Sequence, residues 1–160
     1  MKEFDYVVVA SPNELPLVQS ILKQYQLDLN VRIIVTGVGG INVYRSLADI
    51  DRNARLLNIG FAGSPDIPVG AFLEIGKCNL SHKVDYKEPY FILDKDNPNV
   101  CHTLSDFGTS GEPGCVYDME LAFICAMGFH VQAIKMVSDK MNEDQYENTV
   151  EKTTKKGKKK

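Results

Sequence analysis

The chain has 160 residues, 44% of them hydrophobic and 24% charged, the size of one globular domain able to bury a real core. No apolar run approaches 18 residues, so no transmembrane helix is expected, and the opening MKEFDYVVVASPNE carries acids and no cleavage pattern, reading as a first strand and not a signal peptide. The net charge of −3 hides an asymmetry: residues 151–160 hold six lysines and one acid, so residues 1–150 come to about −8 (12 basic against 20 acidic side chains), which argues against a nucleic-acid surface.

Residues 4–11 (FDYVVVAS) form a nearly continuous apolar run, the signature of a central strand covered on both faces. Leu15, Val18, Ile21, Leu22 and Tyr25 then recur at three and four residues, which predicts a helix over about 13–25, capped by Asn13 with Pro16 in its first turn. Residues 31–36 (VRIIVT) predict a second buried strand, leading through Gly37-Val38-Gly39-Gly40 into a helix over INVYRSLADI. Residues 55–59 (RLLNI) predict a third strand, ending in a glycine-bearing loop, Gly60 to Ser64. Strand, helix, strand, helix, strand within 60 residues indicates an α/β fold with a mostly parallel sheet.

Residues 65–107 change character: Pro, Gly, Asn and Asp punctuate AFLEIGKCNL, YFILD and VCHTLSD, which read as antiparallel or mixed strands. Residues 108–115 (GTSGEPGC) read as a loop. Residues 116–139 then run from an acidic cluster through an apolar helix, a turn at Gly128 and a strand, VQAIKMV, to Ser138-Asp139. A short helix over about 142–151 follows, without a strong apolar face. Cys78, Cys101, Cys115 and Cys125 show no CxxC or His-paired spacing and read as free thiols of a cytosolic protein; His82, His102 and His130 are scattered and suggest no metal site or triad.

Three acids stand out. Glu120 and Asp139 bracket a segment apolar enough to be buried, where an ionised group is costly unless something pairs with it. Glu14 lies in the segment that leaves the first strand. In an open α/β sheet, ligands bind beyond the carboxyl ends of the strands, where Glu14 and Asp139 belong. Each has a plainer reading: Glu14 and Glu120 as acids in a first helical turn, Asp139 as an N-cap. Gly37 to Gly40, taken alone, reads as a tight turn slightly ahead of a ligand-approaching loop, and it departs from the dinucleotide fingerprint at Asn42.

Taken in order, these stretches resemble the nucleoside phosphorylase and nucleosidase superfamily, in particular the 5′-methylthioadenosine/S-adenosylhomocysteine nucleosidases, in a shortened form. VVVASPNELPLV is similar to that family's first strand and acidic loop, TGVGGINVYRSL to its glycine turn and helix, NIGFAGS and PVGAFLEIGKC to the next loop and strand, YDMELA to its VEMEA motif, and MVSDK to its signature strand end. The resemblance runs over about 1–141. It implies a single-domain three-layer α/β/α fold with a central mixed, mostly parallel sheet over 1–150, followed by a Lys-rich disordered tail at 151–160.

The resemblance also implies roles. Glu14 would activate water, and Asp139, if held protonated by an apolar setting, would donate to the purine N7. Glu120 would take the ribose hydroxyls with Met119 against the sugar. Val38 would line the 5′-substituent pocket, Ser138 accompanies Asp139, Phe107 would stack on the base, and Phe61 replaces a small or hydroxylated residue at the purine pocket. Asn58 stands where phosphorylases place a phosphate-binding Arg, which favours hydrolysis. The implied protein is a cytoplasmic homodimeric hydrolase of adenine or related purine nucleosides, serving purine metabolism and methionine salvage, with no metal or organic cofactor, no nucleic acid and no membrane among its partners. Its alternatives are a catalytically weak nucleoside-binding protein of the same fold and a phosphate-dependent phosphorylase. The loop over 107–116 is abbreviated, and only 21 residues follow Asp139, so a missing or reduced closing helix is expected.

Overall fold

Strand β1 (Tyr6–Val9) has three of its four residues buried, as an unbroken apolar run requires, and it is flanked by β2 (Arg32–Val35) and β3 (Arg55–Gly63), both parallel to it. The computed structural model describes residues 3–81, 89–108 and 110–158, with side chains as far as residue 153. Between β1 and β2 lies a 3-10 turn, Pro12–Glu14, continuing into α1 (Leu15–Gln24); α2 (Gly40–Leu47) joins β2 to β3. β4 (Phe72–Glu74), β5 (Lys77–Leu80), β6 (Phe91–Ile92), β7 (Val100–Thr103) and β8 (Cys115–Asp118) follow, then α3 (Leu121–Ala126), β9 (His130–Asp139) and α4 (Glu143–Lys158).

Among the described residues the nine strands form one mixed sheet, and β3 is its hinge. β9 runs parallel along the whole of one β3 edge, and β4 adds antiparallel beyond it. On the other edge, β1 pairs with Leu56, Leu57 and Asn58 only, while Gly63 at the far end pairs with Tyr117 of β8. The sheet therefore forks: β1 and β8 leave the same edge of β3 in different directions, and β8 carries β7, β5 and β6 with it. Such a divergence opens a crevice at the carboxyl ends of β1 and β3.

Leu17, Val18, Ile21 and Leu22 of α1 pack with Leu57, Ile59, Phe61 and Ile134 on one face, joined by Val150 of α4. On the opposite face Val43 and Leu47 of α2 meet Val8 and Leu56, and Leu121 and Ala122 of α3 meet Val116, Ala133 and Val137. Helices on both faces of a mixed sheet make this the single-domain α/β architecture expected. All four cysteines are free thiols. Among the described residues no helix is long and apolar enough to cross a membrane.

Several local expectations change. Ser11, not Asn13, caps the first helical segment: its side chain accepts from the Asn13 N–H and it forms a capping box with Glu14. β2 is an edge strand with half of its residues exposed, because its apolar run meets β1 on one side only. The glycine-bearing loop at 60–63 is the second half of β3, since pairing with β9 overrides the local turn signal. The closing helix is present and longer than expected, from Glu143 to Lys158, past the boundary at residue 150, and it packs Tyr146 and Val150 onto the α1 side of the core.

Candidate active site

At the fork lies a cavity of about 310 Å³. Glu14, Asp139, Glu120, Met119, Val38, Phe61, Ser138 and Phe107, all eight residues that sequence reasoning singles out, line it. They come from the ends of β1, β3, β8 and β9, from the turn before α2 and from the segment after β7, separated in the chain by up to 125 residues.

Glu14 is buried, yet its carboxylate is fully answered. Oε1 accepts from the backbone N–H of Ala10 (2.8 Å) and Ser11 (3.1 Å), and Oε2 accepts from that of Phe61 (3.0 Å). Burial pushes its carboxyl above the usual range, while the Lys135 charge and the three backbone donors pull it down less strongly. The space for this arrangement is made by Gly60: a Cβ there would lie 2.5 Å from Glu14 Oε2 and 3.4 Å from Lys135 Nζ.

Gly63 does the same for Asp139, since a Cβ would lie 2.7 Å from Asp139 Oδ1. That oxygen accepts from the N–H groups of Met141 (2.8 Å) and Asn142 (3.2 Å), and Oδ2 accepts from the Ser138 hydroxyl (2.7 Å). Met141 holds φ at +68°, a left-handed conformation uncommon for a residue with a long side chain, and in it turns its N–H to the carboxylate. The two glycines of the Gly60 to Gly63 stretch are thus the seats of two carboxylates.

Glu120 begins α3 and reaches across to the glycine turn, where Oε2 accepts from the Gly39 N–H (3.0 Å). Gly39 itself sits at φ +88°, a region that favours glycine. Burial, then the negative charge of Asp118, push the Glu120 carboxyl up to about 8, against the opposing charge of Lys135. The plainer reading of these acids as helix-turn residues applies better to Asp118, whose Oδ2 accepts from the Leu121 N–H at 2.8 Å.

Sequence reasoning missed the charge system behind the cavity. Lys135, only 1% exposed in the middle of β9, places Nζ 3.0 Å from Asp118 Oδ2. Gly60 is its partner across the β3–β9 ladder, and Nζ lies 3.4 Å from where a Gly60 Cβ would be. Asp118 Oδ1 accepts from the Thr103 hydroxyl (2.6 Å), which in turn accepts from the Ala122 N–H (2.9 Å). Burial alone would raise the Asp118 carboxyl and lower the Lys135 ammonium; their mutual attraction reverses both, so the pair is ionised. The signal was available: a lone Lys in a strand otherwise apolar enough to be covered on both faces demands a buried counter-charge.

Tyr146 of α4 was missed too. It closes the cavity with its ring 6.2 Å from Phe61 and 5.7 Å from Phe107, centroid to centroid. Burial, then the surrounding charges of Glu14, Glu120 and Asp139, push its phenol up to about 12, so it stays a neutral hydroxyl. The cavity is therefore lined by six acids, Glu14, Glu120 and Asp139 together with Asp106, Asp118 and Glu143, by four aromatic rings, Phe61, Phe107, Tyr117 and Tyr146, and, among the described residues, by no Arg or Lys. Away from it, the histidines and cysteines are less scattered than their spacing indicates: His102 and Cys115 meet with Glu112, while His82 lies outside the described residues.

No protein-family model matches this chain, and no curated protein matches it in sequence. Solved structures match its fold. The 5′-methylthioadenosine/S-adenosylhomocysteine nucleosidase of S. pneumoniae, solved with a transition-state inhibitor, superposes with a TM-score of 0.69 at 20% identity, covering 96% of this chain and 94% of that one. The S-adenosylhomocysteine nucleosidase of Streptococcus pyogenes, in complex with 5-methylthiotubericidin, gives 0.68 at 17% identity, covering 99% and 94%. A mutant nucleosidase of Helicobacter pylori with 5′-methylthioadenosine in its active site gives 0.65 at 16%, covering 99% and 97%. At these identities the likeness establishes a shared fold across nearly the whole of both chains.

Proposed function

We propose that this protein hydrolyses the N-glycosidic bond of adenine nucleosides of the methylthioadenosine/adenosylhomocysteine type. The observation that carries this reading is the convergence of Glu14, Glu120 and Asp139, each held by its own backbone donors, on one cavity walled by aromatic rings. The proteins that share the fold are named as nucleosidases of such substrates and supply the substrate class.

Cleavage breaks the C1′–N9 bond, leaving the electron pair on the purine and a cationic, oxocarbenium-like sugar. Asp139 delivers a proton to N7 as that pair departs, and Ser138 orients its carboxyl. Water attacks C1′, and Glu14 takes its proton; burial, which raises its carboxyl, makes it a stronger base than an exposed glutamate. Glu120 holds the ribose hydroxyls beside Met119, through hydrogen bonds that strengthen as the ring gains positive charge. Phe107 stacks on the base, with Phe61 and Tyr146 closing the same wall of the cavity, and Val38 borders the 5′ substituent. Phosphate would need cations, and the charge of Lys135 is committed to Asp118; water is the better-supported nucleophile. The same reading includes a cytoplasmic homodimer acting in methionine salvage and purine metabolism on small nucleosides, built on a nucleoside phosphorylase-like domain that takes in residues 1–150 and the helix closing over it.

The test is direct. The protein is incubated with methylthioadenosine, adenosylhomocysteine, adenosine and inosine, with and without phosphate, and free base is followed. Base release that needs no phosphate and disappears in Asp139→Asn is expected. Binding without turnover would leave a nucleoside-binding protein, and release only with phosphate would make it a phosphorylase.

A further inference from the structure

Outside the cavity, on the sheet face turned away from α3, three ligand-bearing side chains meet. β5, β7 and β8 run parallel, with Asn79, His102 and Tyr117 in register across them, so these three share one face while Cys78, Cys101 and Val116 pack beneath the other. Cys115 opens β8 two residues before Tyr117, on the His102 face by strand alternation. Glu112 comes down from the loop above. The ligand atoms of His102, Glu112 and Cys115 all lie within 4.8 Å of one another.

We propose that His102, Glu112 and Cys115 form a site for a zinc-class divalent cation that pins the loop over residues 110–115 onto the sheet. His102 is prepared for ligation. Its Nδ1 lies 2.6 Å from Asn79 Oδ1; an amide oxygen only accepts, so Nδ1 carries a proton, and the neutral ring then has its lone pair on Nε2, the tautomer that ligates a metal through Nε2. That Nε2 lies 3.8 Å from Glu112 Oε2. The imidazole is 3% exposed and its ring is held 5.2 Å from that of Tyr117.

The loop is equally placed. The Glu112 N–H donates to the Tyr117 hydroxyl (2.7 Å), and the Gly114 N–H donates to both oxygens of Asp66 (2.8 and 3.0 Å). Zinc bonds of roughly 2.0–2.3 Å put tetrahedral ligand atoms about 3.3–3.8 Å apart. The 4.8 Å bound on the three mutual distances exceeds that spacing by about an ångström, and the His102 Nε2–Glu112 Oε2 distance of 3.8 Å already meets it. One nitrogen, one thiolate and one carboxylate suit Zn²⁺ or Co²⁺; Mg²⁺ and Ca²⁺ prefer oxygen alone. On binding, the Cys115 thiol gives its proton to solvent and the sulfur forms the metal bond. Tyr117 lines the cavity as well, so occupancy would steady the wall that carries Phe107.

The experiment uses the full chain without a histidine tag, stripped with a chelator and titrated with Co²⁺. A near-ultraviolet thiolate-to-cobalt band that saturates at a single ion and is bleached by Zn²⁺ is expected. Cys115→Ser should abolish the band, and Glu112→Gln should weaken Zn²⁺ binding at least tenfold. Zinc should raise the Tm of the parent protein and leave that of Cys115→Ser unmoved. Because His102→Gln disturbs a buried position, the Cys115 and Glu112 variants are the decisive ones. No cobalt band, or one that survives Cys115→Ser, overturns the proposal and leaves an ordinary His102–Glu112 ion pair. None of these readouts depends on nucleosidase activity.

Discussion

A glycine with nothing to hold is the smallest unit that sets this site. A methyl group at Gly60 would lie 2.5 Å from Glu14 Oε2, with Lys135 Nζ at contact distance beyond it, 3.4 Å away. Gly60→Ala must therefore displace the Glu14 carboxylate and its bond to the Phe61 N–H, and we expect base release to fall at least tenfold while the chain still folds. Measuring kcat/KM beside a circular-dichroism melt separates displacement of the carboxylate from loss of the fold. Glu120 gives a second residue-scale prediction. Its folded carboxyl, at about 8, stands above the ordinary value of 4.5, so the folded state holds a proton that the unfolded chain has released. Stability from this group is complete below the unfolded value and is lost as pH rises through about 8. Melting curves across that window should fall more steeply for the parent than for Glu120→Gln. Equal slopes would mean that Glu120 is no more acidic or basic in the fold than out of it.

Between β8 and β9 the element scale is governed by the ion pair of Asp118 and Lys135. Lys135→Met leaves a buried carboxylate without its counter-charge, at a cost of about 3–5 kcal/mol in urea unfolding near neutral pH. The deficit should shrink toward about pH 4, where Asp118 can take up a proton. Adding Asp118→Asn should recover much of the loss, because the pair acts as a unit; strictly additive losses would refute the coupling. This pair also marks where the sequence stopped being legible. Strands β1, β3 and β9 and the carboxylates at their ends could be read from apolar runs and short motifs, since burial and ligand contact both act locally on the chain. Lys135, Thr103 and Asp118 could not be joined, because their meeting depends on the sheet forking at β3. The continuation of β3 through Gly60 to Gly63 was hidden for the same reason: isolated glycines read as a loop until β9 pairs with them. β2 was misjudged in the opposite direction, as an apolar run does not tell an edge from a centre.

On the scale of the whole molecule, the apolar surface around α2 is what a lone chain leaves unexplained. Ile41 is 74% exposed, Val38 50% and Tyr44 43%, with Ile41 and Tyr44 three residues apart on one helical face. Val38 also lines the cavity, and its neighbour Gly39 holds Glu120, so whatever covers this patch also borders the site. A second copy of the chain is the occupant that fits the homodimer proposed above, and a stable interface needs roughly 1,600 Å² of total buried surface. An isologous contact sets the same patch against itself, so one substitution acts twice. Ile41→Lys places two ammonium groups in that contact and should convert the sedimenting species from dimer to monomer. If the partner completes the 5′ side of the cavity, KM for methylthioadenosine should rise severalfold in the same variant while kcat changes less, because Glu14 and Asp139 are carried by the turn after β1 and the end of β9 and not by α2. A protein that sediments as a monomer before any substitution would remove the dimer and leave the patch as the mouth of the pocket itself.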